Sequence, residues 1–186
     1  MSIPEQVIDK AKKITLLISD VDGVLTDGSI YIGETGEFKR FSVSDGMGVA
    51  LTRFSSLRLA LLSGRASEAT TIRAKELRLE DHVYQGYLNK IVAFREILSR
   101  YEVSEDQVAY IGDDYVDLPV MRKVGLAMSV PNGRPIVKGQ AHYVTESHGG
   151  DGALSEAVEM ILRAKGELEP ALERMEKEVY LVDDSV

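Results

Sequence analysis

Ile14-Thr15-Leu16-Leu17-Ile18-Ser19-Asp20-Val21-Asp22-Gly23-Val24 is the stretch on which the fold turns. Its first half is short, unbroken and rich in branched residues, so it predicts a buried strand. Two carboxylates follow at once. Burying an unpaired ion costs several kcal/mol, so a core strand does not end this way without a compensating partner. At the carboxyl end of a sheet strand that partner is a ligand or a hard cation. Asp20 and Asp22 lie two apart, which in an extended segment sends both side chains the same way. Gly23 then permits a sharp turn and brings backbone N–H groups close to whatever is bound.

The chain of 186 residues predicts one domain with a full hydrophobic core. Apolar residues at 44% and charged residues at 28% are ordinary for a globular protein. A net charge of -8 argues against a nucleic-acid surface or an anionic membrane as partner. Phosphate would therefore be held locally, by a cation or by backbone amides. With no cysteine, disulfides and thiolate metal sites are excluded. No apolar run approaches the roughly 20 residues that span a bilayer, and the polar start Met1-Ser2-Ile3-Pro4 lacks a signal-peptide core. A cytoplasmic protein is expected.

A short helix is expected over residues 4–13, ahead of the first strand. Ser29 to Gly33 and Glu37 to Val43, joined by Gly33-Glu34-Thr35-Gly36, predict a β-hairpin over about 29–43 whose apolar residues pack outside its own domain. Helices are then expected over 46–56, 67–77, 89–101 and 117–123. They alternate with strands at Leu59 to Leu62, near Val83-Tyr84, and at Val108 to Ile111, Gly125 to Val130 and His142 to Val144. Ser104 and Gln107 are spaced as a capping box before a strand. The C-terminal segment, about 151–178, reads as helix with a break near Gly166 or Pro170, followed by a solvated acidic tail over 182–186. Strands alternating with helices imply an α/β fold: a doubly wound, mostly parallel sheet, here with a protruding hairpin.

In such a sheet all the carboxyl ends of the strands open onto one crevice. Ser63-Gly64-Arg65 follows one apolar strand, Gly112-Asp113-Asp114 follows another, and Asp117 lies a helical turn further on. Lys90 opens the helix between them. This set suits phosphoryl transfer through an aspartyl phosphate. Two carboxylates and a phosphate monoester repel one another, so Mg²⁺ must bridge them. The Ser63 hydroxyl, the Lys90 ammonium and backbone N–H groups would hold the phosphoryl oxygens. The leaving alkoxide needs a nearby acid. Arg65, planar and always charged, could pair with a substrate carboxylate or simply form a surface salt bridge. Asp45 is carried both as a turn or cap residue and as a substrate-binding candidate. Asp114 and Asp117 are supporting residues or first-turn residues favoured by a helix dipole. His82 and His142 read as structural.

Asp20-Val21-Asp22-Gly23-Val24, Ser63-Gly64-Arg65, Lys90 and Gly112-Asp113-Asp114 with Asp117 resemble the four motifs of the haloacid dehalogenase superfamily of phosphatases. The resemblance implies Asp20 as nucleophile and Asp22 as general acid/base. It implies Asp20, the backbone carbonyl of Asp22 and Asp113 as Mg²⁺ ligands, and Ser63 and Lys90 on the transferring group, with Asp117 orienting Lys90. Thr26-Asp27-Gly28, Ser44-Asp45-Gly46, Gln85-Gly86 and Gly149-Gly150-Asp151-Gly152-Ala153 further resemble the 3-deoxy-D-manno-octulosonate 8-phosphate (KDO 8-phosphate) phosphatases of lipopolysaccharide synthesis. That family implies a sugar-acid phosphate substrate and a homotetramer in which hairpins form a central barrel and a neighbour, through its C-terminal segment, covers each site. His148 could line such a site. Where those relatives carry Arg after the glycine-rich stretch, this chain has Ser155 after Leu154. Arg65 leans toward the octulosonate, because related nonulosonate 9-phosphate phosphatases commonly have an acidic residue there. The intervals from Asp22 to Ser63 and from Ser63 to Lys90 leave no room for a cap domain. A phospho-accepting signalling domain uses similar groups, but with its adjacent acidic pair on the first strand. Here the adjacent pair, Asp113-Asp114, follows a later one.

Overall fold

The strand expected from the opening run is β1 (Leu16–Ser19), and all four of its residues are buried. The computed structural model describes residues 3–34 and 36–179. Before β1 comes α1 (Glu5–Ala11). After it come the hairpin strands β2 (Tyr31–Gly33) and β3 (Gly36–Phe38), then α2 (Val43–Thr52), β4 (Arg58–Leu62), α3 (Glu68–Glu76), β5 (Val83–Tyr84) and α4 (Lys90–Tyr101). The second half adds β6 (Val108–Gly112), α5 (Leu118–Met121), β7 (Leu126–Ser129), α6 (Pro135–Lys138), β8 (Tyr143–Val144), α7 (Ala153–Lys165) and α8 (Leu168–Val179).

Six strands form one sheet in the order β5-β4-β1-β6-β7-β8, and every pairing in it is parallel. Alternate strand residues serve opposite faces, as the two-residue side-chain period requires. Leu17, Leu59, Leu61, Ala109 and Ile111 pack with residues of α1, α2, α7 and α8. Leu16, Ile18, Ala60, Leu62 and Tyr110 pack with α4 and α5. Helices therefore cover both faces, as expected of a doubly wound sheet. The chain leaves β1 for β4 and β5 on one side, then crosses to β6 on the other. The strand order reverses between β1 and β6, where such sheets place their ligands.

Boundaries shift at several elements. The hairpin is shorter than expected: β3 stops at Phe38, and Ser42 caps α2 by accepting from the Ser44 N–H. An N-cap serine starts a helix wherever the following residues can be helical, so α2 begins before Gly46 and ends before Ser56. The helix expected over 117–123 is a 3₁₀ turn, Tyr115–Asp117, followed by the short α5. The capping box at Ser104 and Gln107 is formed, and it opens a single turn before β6. Of the two candidate breaks near the C-terminus, Gly166 makes it with φ of +69°. Pro170 sits in the first turn of α8, where no N–H partner is needed. Residues 182–186 lie outside the described residues. Tyr31, Ile32 and Phe38 on the hairpin are 58%, 84% and 58% exposed. Among the described residues no helix is long and apolar enough to cross a membrane.

Candidate active site

Parallel pairing of β1 with β6 sets Ser19 against Ile111, and the Asp20 N–H donates to the Ile111 carbonyl. Asp20 and Asp113 thus leave neighbouring strand ends side by side. Between them the chain turns through Val21–Leu25, where Gly23 takes φ of +97°. A β-carbon on Gly23 would fall 2.2 Å from Asp113 Oδ2. Only glycine lets the two acidic segments meet, which is a tertiary reason for Gly23 beside the local one.

Lys90, at the start of α4, enters this floor with its side chain 1% exposed. Its ammonium lies 2.8 Å from Asp20 Oδ1 and 2.6 Å from Asp117 Oδ1, and it donates to the Tyr110 hydroxyl at 3.1 Å. Three acceptors meet three N–H donors, so the lysine is saturated. Asp117 is saturated as well. Its Oδ1 also accepts from Tyr110, and its Oδ2 accepts from the N–H groups of Asp113 and Asp114. Gly112 makes room for it, since a β-carbon there would lie 2.5 Å from Asp117 Cγ.

Oxygens of Asp20, Asp113 and Asp117 lie within 4.8 Å of one another. Among the described residues one ammonium, that of Lys90, stands against these three carboxyl groups, so ionising all of them would leave negative charge in excess. Burial raises Asp20 well above the usual carboxylate range; Lys90 opposes that shift, and Asp117 reinforces it. Burial, then Asp117 and Asp114, push Asp113 up to about 7. Lys90 itself is raised, because its anionic neighbours outweigh its burial. A divalent cation supplies the missing counter-charge, and all-oxygen donors suit Mg²⁺. The side-chain donors available are Asp20 and Asp113, whose Oδ1 is buried without a hydrogen bond. Asp117 has no lone pair to spare and orients Lys90 instead. The residues fit the ion.

Ser63 follows β4 and is buried; its Oγ accepts from the Arg65 N–H. Gly64 and Arg65 form the turn beyond it, and the Arg65 guanidinium pairs with hairpin Glu37 at 2.8 Å. Asp22 is partly buried and paired with Lys39 at 2.6 Å. Asp114 caps the following turn and pairs with Arg134.

Asp45 is not brought to this floor. It is fully buried and accepts the N–H groups of Gly152, Leu154 and Ser155, which caps α7. Three of its lone pairs are spent on the start of α7, which agrees with the capping reading. Ser155 is also packed inward: a β-carbon on Gly48 would lie 2.4 Å from its Cα. His148 is exposed; His82 and His142 each bond within the fold, to Tyr101 and the Ala127 N–H. Gly149 is more than a flexible joint, since a β-carbon there would lie 1.8 Å from the Gly23 carbonyl. Asn132 ties these parts together, donating to that carbonyl and accepting from the Gly149 N–H. Tyr110, Asn132, Glu37 and Lys39 carry no motif that marks them in the sequence.

A doubly wound sheet whose reversal point gathers aspartates, a buried lysine and a serine around a divalent-cation site defines a Mg²⁺-dependent phosphoryl-transfer protein. A family model described as haloacid dehalogenase-like hydrolase matches residues 53–156. The chain is 44% identical to the 3-deoxy-D-manno-octulosonate 8-phosphate phosphatase KdsC of Yersinia pestis over 170 residues, 91% of this chain and 90% of the relative. Its counterpart from Escherichia coli K12 is 42% identical over the same shares. The crystal structure of the Moraxella catarrhalis phosphatase of that name, in complex with a magnesium ion, a phosphate ion and a KDO molecule, is 37% identical. It superposes with a TM-score of 0.87, covering 92% of this chain and 98% of that one. This chain belongs to the haloacid dehalogenase-like hydrolases.

Proposed function

We propose that this protein hydrolyses KDO 8-phosphate to KDO and phosphate in lipopolysaccharide precursor synthesis, with Mg²⁺ as cofactor and an aspartyl phosphate as intermediate. The observation that carries the reading is the charge excess at the β1–β6 reversal point, three carboxylates against one ammonium. Asp20 attacks phosphorus while the bond to the sugar oxygen breaks, and Asp22 gives its proton to that oxygen. Asp22 then takes a proton from the water that attacks the acyl phosphate, releasing phosphate and restoring Asp20. Lys90 and the Ser63 hydroxyl bind the phosphoryl oxygens as charge spreads over them. When bound by Asp20, Asp113 and the Asp22 carbonyl, Mg²⁺ neutralises the repulsion between carboxylates and the substrate dianion. Asp117 holds Lys90 in place, Gly64 lets the backbone approach, and Arg65 exchanges Glu37 for the substrate carboxylate.

The same reading makes the protein a cytoplasmic homotetramer whose neighbours cover each site. The exposed Tyr31 and Phe38, cross-strand partners on one face of the hairpin, and Ile32 on the other support that assembly, because large apolar side chains gathered on one exposed element favour an interface. The test is kcat/KM with Mg²⁺ for KDO 8-phosphate, a nonulosonate 9-phosphate and glucose 6-phosphate, repeated in EDTA. The octulosonate should lead glucose 6-phosphate, which has no carboxylate, by on the order of 10²-fold, since one charge-assisted pair to a substrate carboxylate discriminates on that scale; it should also lead the nonulosonate, and EDTA should abolish turnover. Preference for the nonulosonate would reassign the substrate. No hydrolysis of any sugar phosphate with Mg²⁺ would refute the reading.

A further inference from the structure

Lys39, directly after β3, carries no motif and is absent from the phosphate-binding floor, yet its side chain has no exposure. A buried ammonium is costly unless paired, so its partners indicate what it is for. It lies 2.6 Å from Asp22 Oδ1, donates to Thr70 Oγ1 at 3.3 Å, and stands 3.7 Å from Glu37 Oε1. Glu37 is already engaged by Arg65 and by the Ser67 hydroxyl, which leaves Asp22 as the closest partner. Asp22 depends on Lys39 in return. Apart from this ammonium, no donor reaches either of its buried oxygens among the described residues.

We infer that Lys39 is the positioning residue of the acid–base step: the hairpin delivers it to hold Asp22 against the leaving oxygen. This rests on the assignment of Asp22 as general acid. Lys39 pairs with Oδ1, and Oδ2 is buried without a hydrogen-bond partner, so Oδ2 is the oxygen left free to exchange a proton with the substrate. That proton passes to the bridging oxygen as the phosphorus–oxygen bond to the sugar breaks and the bond to Asp20 forms. A floppy Asp22 side chain would lose this step selectively, because the Asp20 and Lys90 side chains are held by contacts of their own. The arrangement also ties acid catalysis to the hairpin.

Leaving-group dependence separates this role from a structural one. An alkoxide needs protonation and a nitrophenolate does not, and kcat/KM reports the chemistry up to the first irreversible transfer. Lys39→Met should lower kcat/KM for KDO 8-phosphate about 10²-fold, the lower end of what general acid catalysis contributes. Its kcat/KM for p-nitrophenyl phosphate should fall less than about threefold. Lys39→Gln guards against misfolding, with thermal melting as the check, and should show the same selectivity. Asp22→Asn should show it more strongly, and the double variant should be no worse than Asp22→Asn alone, because residues acting as a unit are non-additive. Equal losses on both substrates, or no loss, in the folded Lys39 variants would overturn the inference and leave the phosphatase reading standing. Equal losses in Asp22→Asn would remove Asp22 as the acid and overturn the inference together with that assignment, while hydrolysis itself would still stand.

Discussion

Lys90 and Arg65 are both cations beside one crevice, and they are held in different ways. Lys90 is 1% exposed, rises from a helix packed on the sheet, and has an acceptor for each donor. Arg65 is 51% exposed and reaches a carboxylate on a two-stranded hairpin whose apolar faces meet solvent. The floor is set by the sheet, so its groups pay no reorganisation when charge develops on phosphorus. The wall is held by a rim ion pair, which contributes little to stability and can be exchanged. The floor is built into the buried core, whereas the wall rests on contacts that can be exchanged.

The largest expected effect falls on the floor. Asp20→Asn should lower kcat by at least about 10⁴-fold, as loss of a covalent nucleophile does elsewhere. The fold should survive. Burial raises the Asp20 pKa in the native state, so its ionised form weighs against folding at neutral pH, and the amide removes that cost. Melting of the metal-free variant at or above the wild-type temperature is the check. Turnover near the wild-type rate would show that the floor does not act through Asp20, and the contrast with the wall would lose its basis.

The floor was largely legible in the sequence because parallel strands read as continuous apolar runs and their ends are where chemistry sits. Asp20, Ser63 and Asp113 directly follow β1, β4 and β6, so finding the runs found the residues. Two-residue β5 and β8 are almost too short to carry a pattern, yet both fall where a strand was expected, at Val83-Tyr84 and within His142 to Val144. Tyr110 was hidden because a tyrosine within a buried strand looks like core, and its hydroxyl contact with Asp117 depends on the following turn. Lys39 was hidden for the opposite reason: between Phe38 and Arg40 on a hairpin it looks like a solvated lysine. Asp45 sat in a motif-like Ser-Asp-Gly, yet its partners lie at the start of α7, more than a hundred positions along the chain. What sequence could not provide was tertiary proximity.

A second experiment acts on the wall. Ile32 is 84% exposed in the subunit, so Ile32→Glu removes no core packing and should shift the melting temperature of a subunit little. Buried in an interface between hairpins, the same carboxylate would be unpaired and costly. Sedimentation or light scattering should show monomers in place of the proposed tetramer. KM for the sugar-acid phosphate should rise, while the response to Mg²⁺ stays that of the wild type. An unchanged oligomer would remove the hairpin from the interface and make the wall self-sufficient.

The smallest effect sharpens the comparison from below, at Asp45, which belongs to neither region but anchors α7 behind them. It accepts three backbone N–H groups, so Asp45→Ala should cost about 1–2 kcal/mol, the scale of a lost helix cap. Burial raises its pKa above 3.8; the three N–H bonds and Arg73 only partly offset this. A raised native pKa means that the folded state holds the proton more tightly. Stability from this group is therefore full below the unfolded value and falls as pH climbs through the native one. Asp45→Asn keeps an acceptor without the charge, so it should cost less than alanine and flatten that part of the pH–stability curve. Urea titrations between pH 4 and 7 measure both. If kcat/KM for the sugar-acid phosphate drops in Asp45→Asn while stability holds, Asp45 reaches the substrate after all, and the division between a buried scaffold and a reactive crevice fails at this residue.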